Sequence, residues 1–163
     1  INIFHEWIKD QLLAELLIDV VDYRHVPAGP GVLLVGHEAD YSMDNADNRY
    51  GLRYNRKAPL EGTNEDRFRQ ALSSAANACR LLEAHFTGDN QLRFSRREFE
   101  LFINDRALAP NTRKTRDACE PELKVFLRNV LGHGEFELEY RRDPRARFGA
   151  IVRAAKPLEL AAL

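Results

Sequence analysis

The stretch GHEADYSMDNADNRYG, Gly36 to Gly51, decides how this chain is read. Its sixteen residues hold one histidine, four acids and two asparagines, so it is either a metal or catalytic loop or a polar hairpin. The residues around it favour the hairpin. VLLV (32–35) opens a strand that becomes alternating: Leu33, Val35, His37, Ala39, Tyr41 and Met43 share one side, Glu38, Asp40 and Ser42 the other. Asp44 to Asn48 is turn-forming, and Arg49 to Arg56 returns with Tyr50, Leu52 and Tyr54 on one face. If Asp44 pairs with Arg49, Asp40 falls opposite Arg53, Glu38 opposite Asn55 and Tyr41 opposite Leu52. Apolar then meets apolar on one face and acid meets base on the other, as stable cross-strand pairs require.

That register tests the chemistry in the stretch. His37, Asp40 and Ser42 have the composition of a hydrolytic triad, but in a strand His37 points away from the other two. Asp44, Asn45, Asp47 and Asn48 are hard oxygen ligands suited to calcium or magnesium. Their spacing is not that of an EF-hand, and no closing glutamate follows. His37 on an apolar strand face reads as a hydrogen-bonded core histidine. As a transition-metal ligand it lacks HxH or HxxxH partners among His5, His25, His85 and His133. A site here would draw on His37, Glu38 and Asp40, with Arg49 or Arg53 holding an anion.

Outward from the hairpin, apolar residues at three- and four-residue spacing predict an amphipathic helix over residues 3–21. Pro27, Gly29, Pro30 and Gly31 then break the chain. A second helix is expected over 65–86, capped by Asn64 and buried along Phe68, Leu72, Ala75, Cys79, Leu82 and Phe86. LRF (92–94) and EFELFI (98–103) read as strands. A third helix is expected from Pro121 to Leu131, because proline is tolerated only in a first turn, and that leaves Cys119 outside it. EFELEYR (135–141) alternates, with RFGAIVRA (147–154) as its hairpin mate. RYGLRYNRKAPL (49–60) and RFGAIVRAAKPL (147–158) share Arg-aromatic-Gly at the start and Pro-Leu at the end. They suggest an internal helix–hairpin repeat.

The architecture expected is a two-layer α+β domain with a mainly antiparallel sheet of up to six strands and about three helices on one face. The opposite sheet face would carry Glu98, Glu100, Glu135, Glu137, Glu139, Arg53 and Asn55. At 163 residues the chain fits a single globular domain, 1–163, able to bury about two-thirds of its unfolded surface. Hydrophobic content of 44% with 30% charged residues argues for a folded, soluble protein. No apolar run approaches the roughly 20 residues that span a bilayer. Lys9, Asp10, Glu15 and Asp19 interrupt the opening, which reads as neither signal peptide nor anchor. Cys79 and Cys119 read as reduced thiols of a cytoplasmic protein.

Net charge of −1 offers no field to recruit nucleic acid or an acidic membrane. Nineteen of the twenty-four bases are arginine. Of the local clusters, RKTR (113–116), in an expected Pro/Asn/Thr loop, is the best candidate for an anion contact. The G-P-G before VLLV is no phosphate loop, since those follow a strand and open a helix. RFGAIV lacks the leading glycine and second aromatics of a base-stacking strand. No cofactor fingerprint and no strong metal spacing occur. Two readings follow: a non-catalytic protein-binding or self-assembling module that uses a charged sheet face or a strand edge, or a metal-binding protein or small-molecule enzyme with its site at the first hairpin.

Overall fold

The computed structural model describes residues 1–45, 49–132 and 134–158. The chain is α+β, with three α-helices and two antiparallel sheets among the described residues. In order these are α1 (Asn2–Asp10), β1 (Leu17–Asp22), β2 (Val32–Gly36), β3 (Ala39–Asp44), β4 (Gly51–Arg56), α2 (Asn64–His85), β5 (Glu98–Phe102), α3 (Arg113–Leu131), β6 (Phe136–Tyr140) and β7 (Gly149–Ala154). The strands are shared between a four-stranded sheet, β1-β2-β3-β4, and a three-stranded sheet, β5-β7-β6, rather than joined in one. The chain divides into two compact units, residues 1–61 with 71–94, and residues 62–70 with 95–163.

In the first unit a row of cross-strand neighbours, Val20, Leu34, Tyr41 and Tyr54, crosses the sheet on its core side. Leu34 is wholly buried, and the Tyr41 and Tyr54 rings meet edge to face at 5.1 Å. Phe4 and Trp7 of α1, and Ala78 and Leu82 of α2, join the same core. Each large apolar side chain so buried stabilises the fold by roughly 1.5–3 kcal/mol. Tyr41 also donates to Glu15 Oε1 at 2.6 Å, and burial and then that carboxylate lift its phenol well above the usual tyrosine range. Gly31 enters β2 at φ +69°, where a side chain would be strained and would strike the Met43 carbonyl.

The helix expected over 3–21 stops at Asp10. Gln11 turns left-handed (φ 49°), and LIDVVD becomes strand β1. Leu13 and Leu17 lie four residues apart, and a spacing of four keeps a face in a helix and in a strand alike. The β-branched Ile18, Val20 and Val21 settle the matter for the strand. α2 is close to expectation, but its cap is Thr63: Thr63 Oγ1 accepts from the Asp66 amide at 3.2 Å while Asp66 Oδ2 accepts from the Thr63 amide at 2.8 Å. LRF (92–94) forms no strand. The Phe94 amide instead donates to the buried Glu83 carboxylate at 2.9 Å.

The second unit buries Leu123, Phe126 and Leu127 of α3 with Ala150, Val152 and Ala154 of β7. α3 starts eight residues before Pro121 and includes Cys119. Thr112 caps it by accepting from the Thr115 amide. A proline inside a helix costs about 3 kcal/mol, and burial of Leu123, Phe126 and Leu127 just after it offsets that loss. β7 lies between β5 and β6 and pairs with both, so the expected 135–141/147–154 hairpin forms. The two similar dodecapeptides supply β4 and β7, each starting at its glycine. β4 is an edge strand and β7 a central one, and the order α-β-β-β-β-α-β-α-β-β does not divide into three equal units.

Candidate functional site

The first hairpin holds its polar residues differently from expectation. β2 and β3 are two strands joined by a bend at His37 and Glu38, both exposed. A side chain at Gly36 would collide with the Ala39 carbonyl, so the bend needs glycine there. The bend reverses the face assignment before it, and Leu34 rather than Leu33 accompanies Tyr41. His37 therefore does not lie on the core face, and its amide donates to Leu16 O at 2.8 Å.

Between β3 and β4 the register is displaced by two residues. Asp44 faces Gly51, Asp40 faces Asn55 and Tyr41 faces Tyr54. A shift of two preserves every face, so the alternation is satisfied by either register, and the longer connection selects this one. Asp40 then bonds Lys57 at 2.8 Å instead of Arg53, and Glu38 meets Arg56 at 3.1 Å. Arg53 reaches Asp44 at 2.7 Å, and Asp44 is a nearly buried strand residue rather than part of a turn. Arg49 is exposed ahead of β4. Lys57 also donates to Gly36 O, and the Lys57 and Ala58 amides donate to Glu38 O. Glu38 and Asp40 are thus brought together as parts of a clamp on the bend, each with a cation of its own. Of the candidate oxygen ligands, Asp47 and Asn48 lie outside the described residues. Among the described residues no group of three or more His, Cys, Asp or Glu side chains is placed to hold a metal ion.

The second unit holds a cleft of about 1070 Å³ open to solvent. One wall is a stripe of α3, from Arg113 through Arg116 and Glu120 to Lys124. The other is β6, which contributes Leu138 and Tyr140 from one sheet face and Glu139 from the other. β6 is also an edge strand of its sheet. The edge is an open one, since β7 is the single strand neighbour of β6 among the described residues.

The Ala155 amide donates to Glu135 O at 3.0 Å, which makes that pair a hydrogen-bonded one. Antiparallel alternation then bonds Glu137 to Arg153 and Glu139 to Ile151. Phe136, Leu138 and Tyr140 consequently aim their N–H and C=O groups away from β7, at the open edge. The five residues of β6 span roughly 17 Å, and α3 from Arg113 to Lys124 spans about the same length.

Charge is organised along both walls. Glu120 takes Arg116 at 2.9 Å and Lys124 at 2.5 Å, and these two cations hold its carboxyl down to about 2. The Arg116 guanidinium lies 4.2 Å from the Tyr140 ring centroid, and Tyr140 stacks in turn on Phe148 at 5.8 Å. Burial, then the Glu120 charge, pushes the Tyr140 phenol up to about 12. On the sheet face beyond, Arg141 grips Glu100 through two bonds of 2.6 and 3.0 Å, and Arg153 bridges Glu98 and Glu139. Asn111 donates to the Arg141 and Asp143 carbonyls and so fixes the chain leaving β6.

The RKTR segment belongs to the first turn of α3, not to a loop. Its signal was the series Arg113/Asp117, Arg116/Glu120 and Glu120/Lys124, opposite charges four apart that mark a helix face. Comparison with protein-family models, with curated proteins and with solved structures found no match for this chain.

Proposed function

We propose that this chain is a non-catalytic binding module whose β6 edge takes up an extended segment of a partner protein as an added strand. The single observation that carries this is a cleft walled on one side by the helix α3 and on the other by β6, a strand with one unpaired edge. Edge addition of this kind draws affinity from main-chain hydrogen bonds and selectivity from alternate side chains. The cleft volume lies just above the roughly 300–1,000 Å³ usual for small-molecule pockets, and its opening to solvent suits a peptide better than an enclosed ligand. A metal or small-molecule site at the first hairpin would first have to free Glu38 and Asp40 from Arg56 and Lys57. Cys79 and Cys119, which form no disulfide, suit a cytoplasmic setting.

The test is selection of linear peptides from a random display library on the intact chain, followed by chemical-shift mapping of the binders. This reading expects the largest changes in residues 136–140 and along α3 between Arg113 and Lys124. Binders that perturb only other surfaces, or a library that yields none, would overturn it.

A further inference from the structure

The two sides of the β6 edge differ in charge. The cleft is lined by five cations, Arg113, Arg116, Lys124, Arg141 and Arg142, against three carboxylates, Asp117, Glu120 and Glu139, and of these Arg141 and Glu139 belong to the other sheet face. On the other face of the sheet stand Glu98, Glu100, Glu137 and Glu139, against two guanidiniums, Arg141 and Arg153. Two of these groups, Arg142 and Glu137, are exposed and carry no ion pair among the described residues. One lies on each side. An incoming strand sets the residue opposite Leu138 on the same side as the Leu138 side chain, and the next residue on the other.

Building on the strand-addition reading, we infer that the partner of the β6 edge is a segment with alternating charge, acidic on the side that enters the cleft and basic on the side above Glu137 and Glu139. Opposite-sign complementarity of this kind selects the partner and fixes its register more than it adds raw affinity. It also disfavours a second copy of β6 as occupant. Antiparallel pairing of two β6 strands about Leu138 would set Glu137 of each against Glu139 of the other, and like charges directly opposite destabilise a ladder.

Two synthetic peptides of identical composition test this on the intact chain by titration calorimetry. One alternates glutamate and lysine within a threonine- and valine-rich strand. The other gathers the same glutamates and lysines into separate blocks, so that each face carries both signs. A one-residue slip lets the alternating peptide choose its favourable face, whereas no slip rescues the block isomer. The alternating peptide is expected to bind about tenfold more tightly. Arg142→Glu and Glu137→Lys, both exposed side chains with no ion pair among the described residues, are each expected to weaken it about fivefold. Equal affinity for the two isomers, with shifts still centred on residues 136–140, would overturn the charge pattern and leave strand addition standing. Binding of neither isomer at β6, when display-selected peptides do bind there, would also overturn the charge pattern. If display-selected peptides fail there as well, strand addition falls with it.

Discussion

Arg116 and Tyr140 join helix to strand across the cleft, the guanidinium 4.2 Å from the ring centroid and its Nε 2.9 Å from Glu120. The planar cation lies on the aromatic face and is held there by a carboxylate one helical turn on. Arg116→Ala should cost about 1 kcal/mol in urea unfolding, the sum of an exposed cation–π contact and an i,i+4 pair. Arg116→Lys should recover less than half of that loss, because an ammonium cannot bond the carboxylate and cover the ring together. Equal stability of the alanine variant and the parent would show that the stack contributes nothing.

Glu120 gives the same contact a pH signature. Its carboxyl is held at about 2, below the ordinary 4.5, by hydrogen bonds from Lys124 and Arg116. A depressed carboxyl contributes stability in full above its unfolded value, and that contribution is lost as pH falls through the folded value. The parent should therefore be more stable than Glu120→Gln at pH 6, and the gap should close between about pH 4.5 and pH 2. Melting temperatures measured across that range check the sign. A gap that stays constant would mean that the pair is not ionic.

Arg53 is the counter-charge of a nearly buried acid, since Asp44 is 6% exposed and bonds it at 2.7 Å. Arg53→Ala should destabilise by about 2 kcal/mol, because it strips one partner from a carboxylate that is still largely withdrawn from water. Adding Asp44→Asn to that variant should restore part of the loss. Chemical denaturation of the two single variants and the double variant measures the coupling. Strict additivity would show that the two residues do not interact.

Asp44 also marks where sequence reasoning stopped. Alternation identified β3, β4, β6 and β7 and most of their faces, because a half-buried strand must repeat every two residues. It does not distinguish registers two residues apart, and so the expected register sets Asp40 against Arg53 in place of Lys57. It also ran β2 into β3, since a bend as short as His37-Glu38 leaves no clear punctuation beyond Gly36. The end of α1 was hidden by the four-residue spacing that helix and strand share. Pro121 concealed the first turns of α3, and with them the cationic wall of the cleft. The β6 segment was legible as a strand, but its position at an edge depends on β7 pairing with β5, a long-range choice that no local pattern encodes.

Amide hydrogen exchange along β6 tests the central claim most directly. In the free protein Glu137 and Glu139, bonded to β7, should exchange slowly, while Phe136, Leu138 and Tyr140 exchange fast. A bound extended peptide should slow Phe136, Leu138 and Tyr140 and leave Glu137 and Glu139 little changed. If those three amides are already protected in the free chain, or stay fast when peptide saturates it, the edge of β6 is not where a partner strand is received.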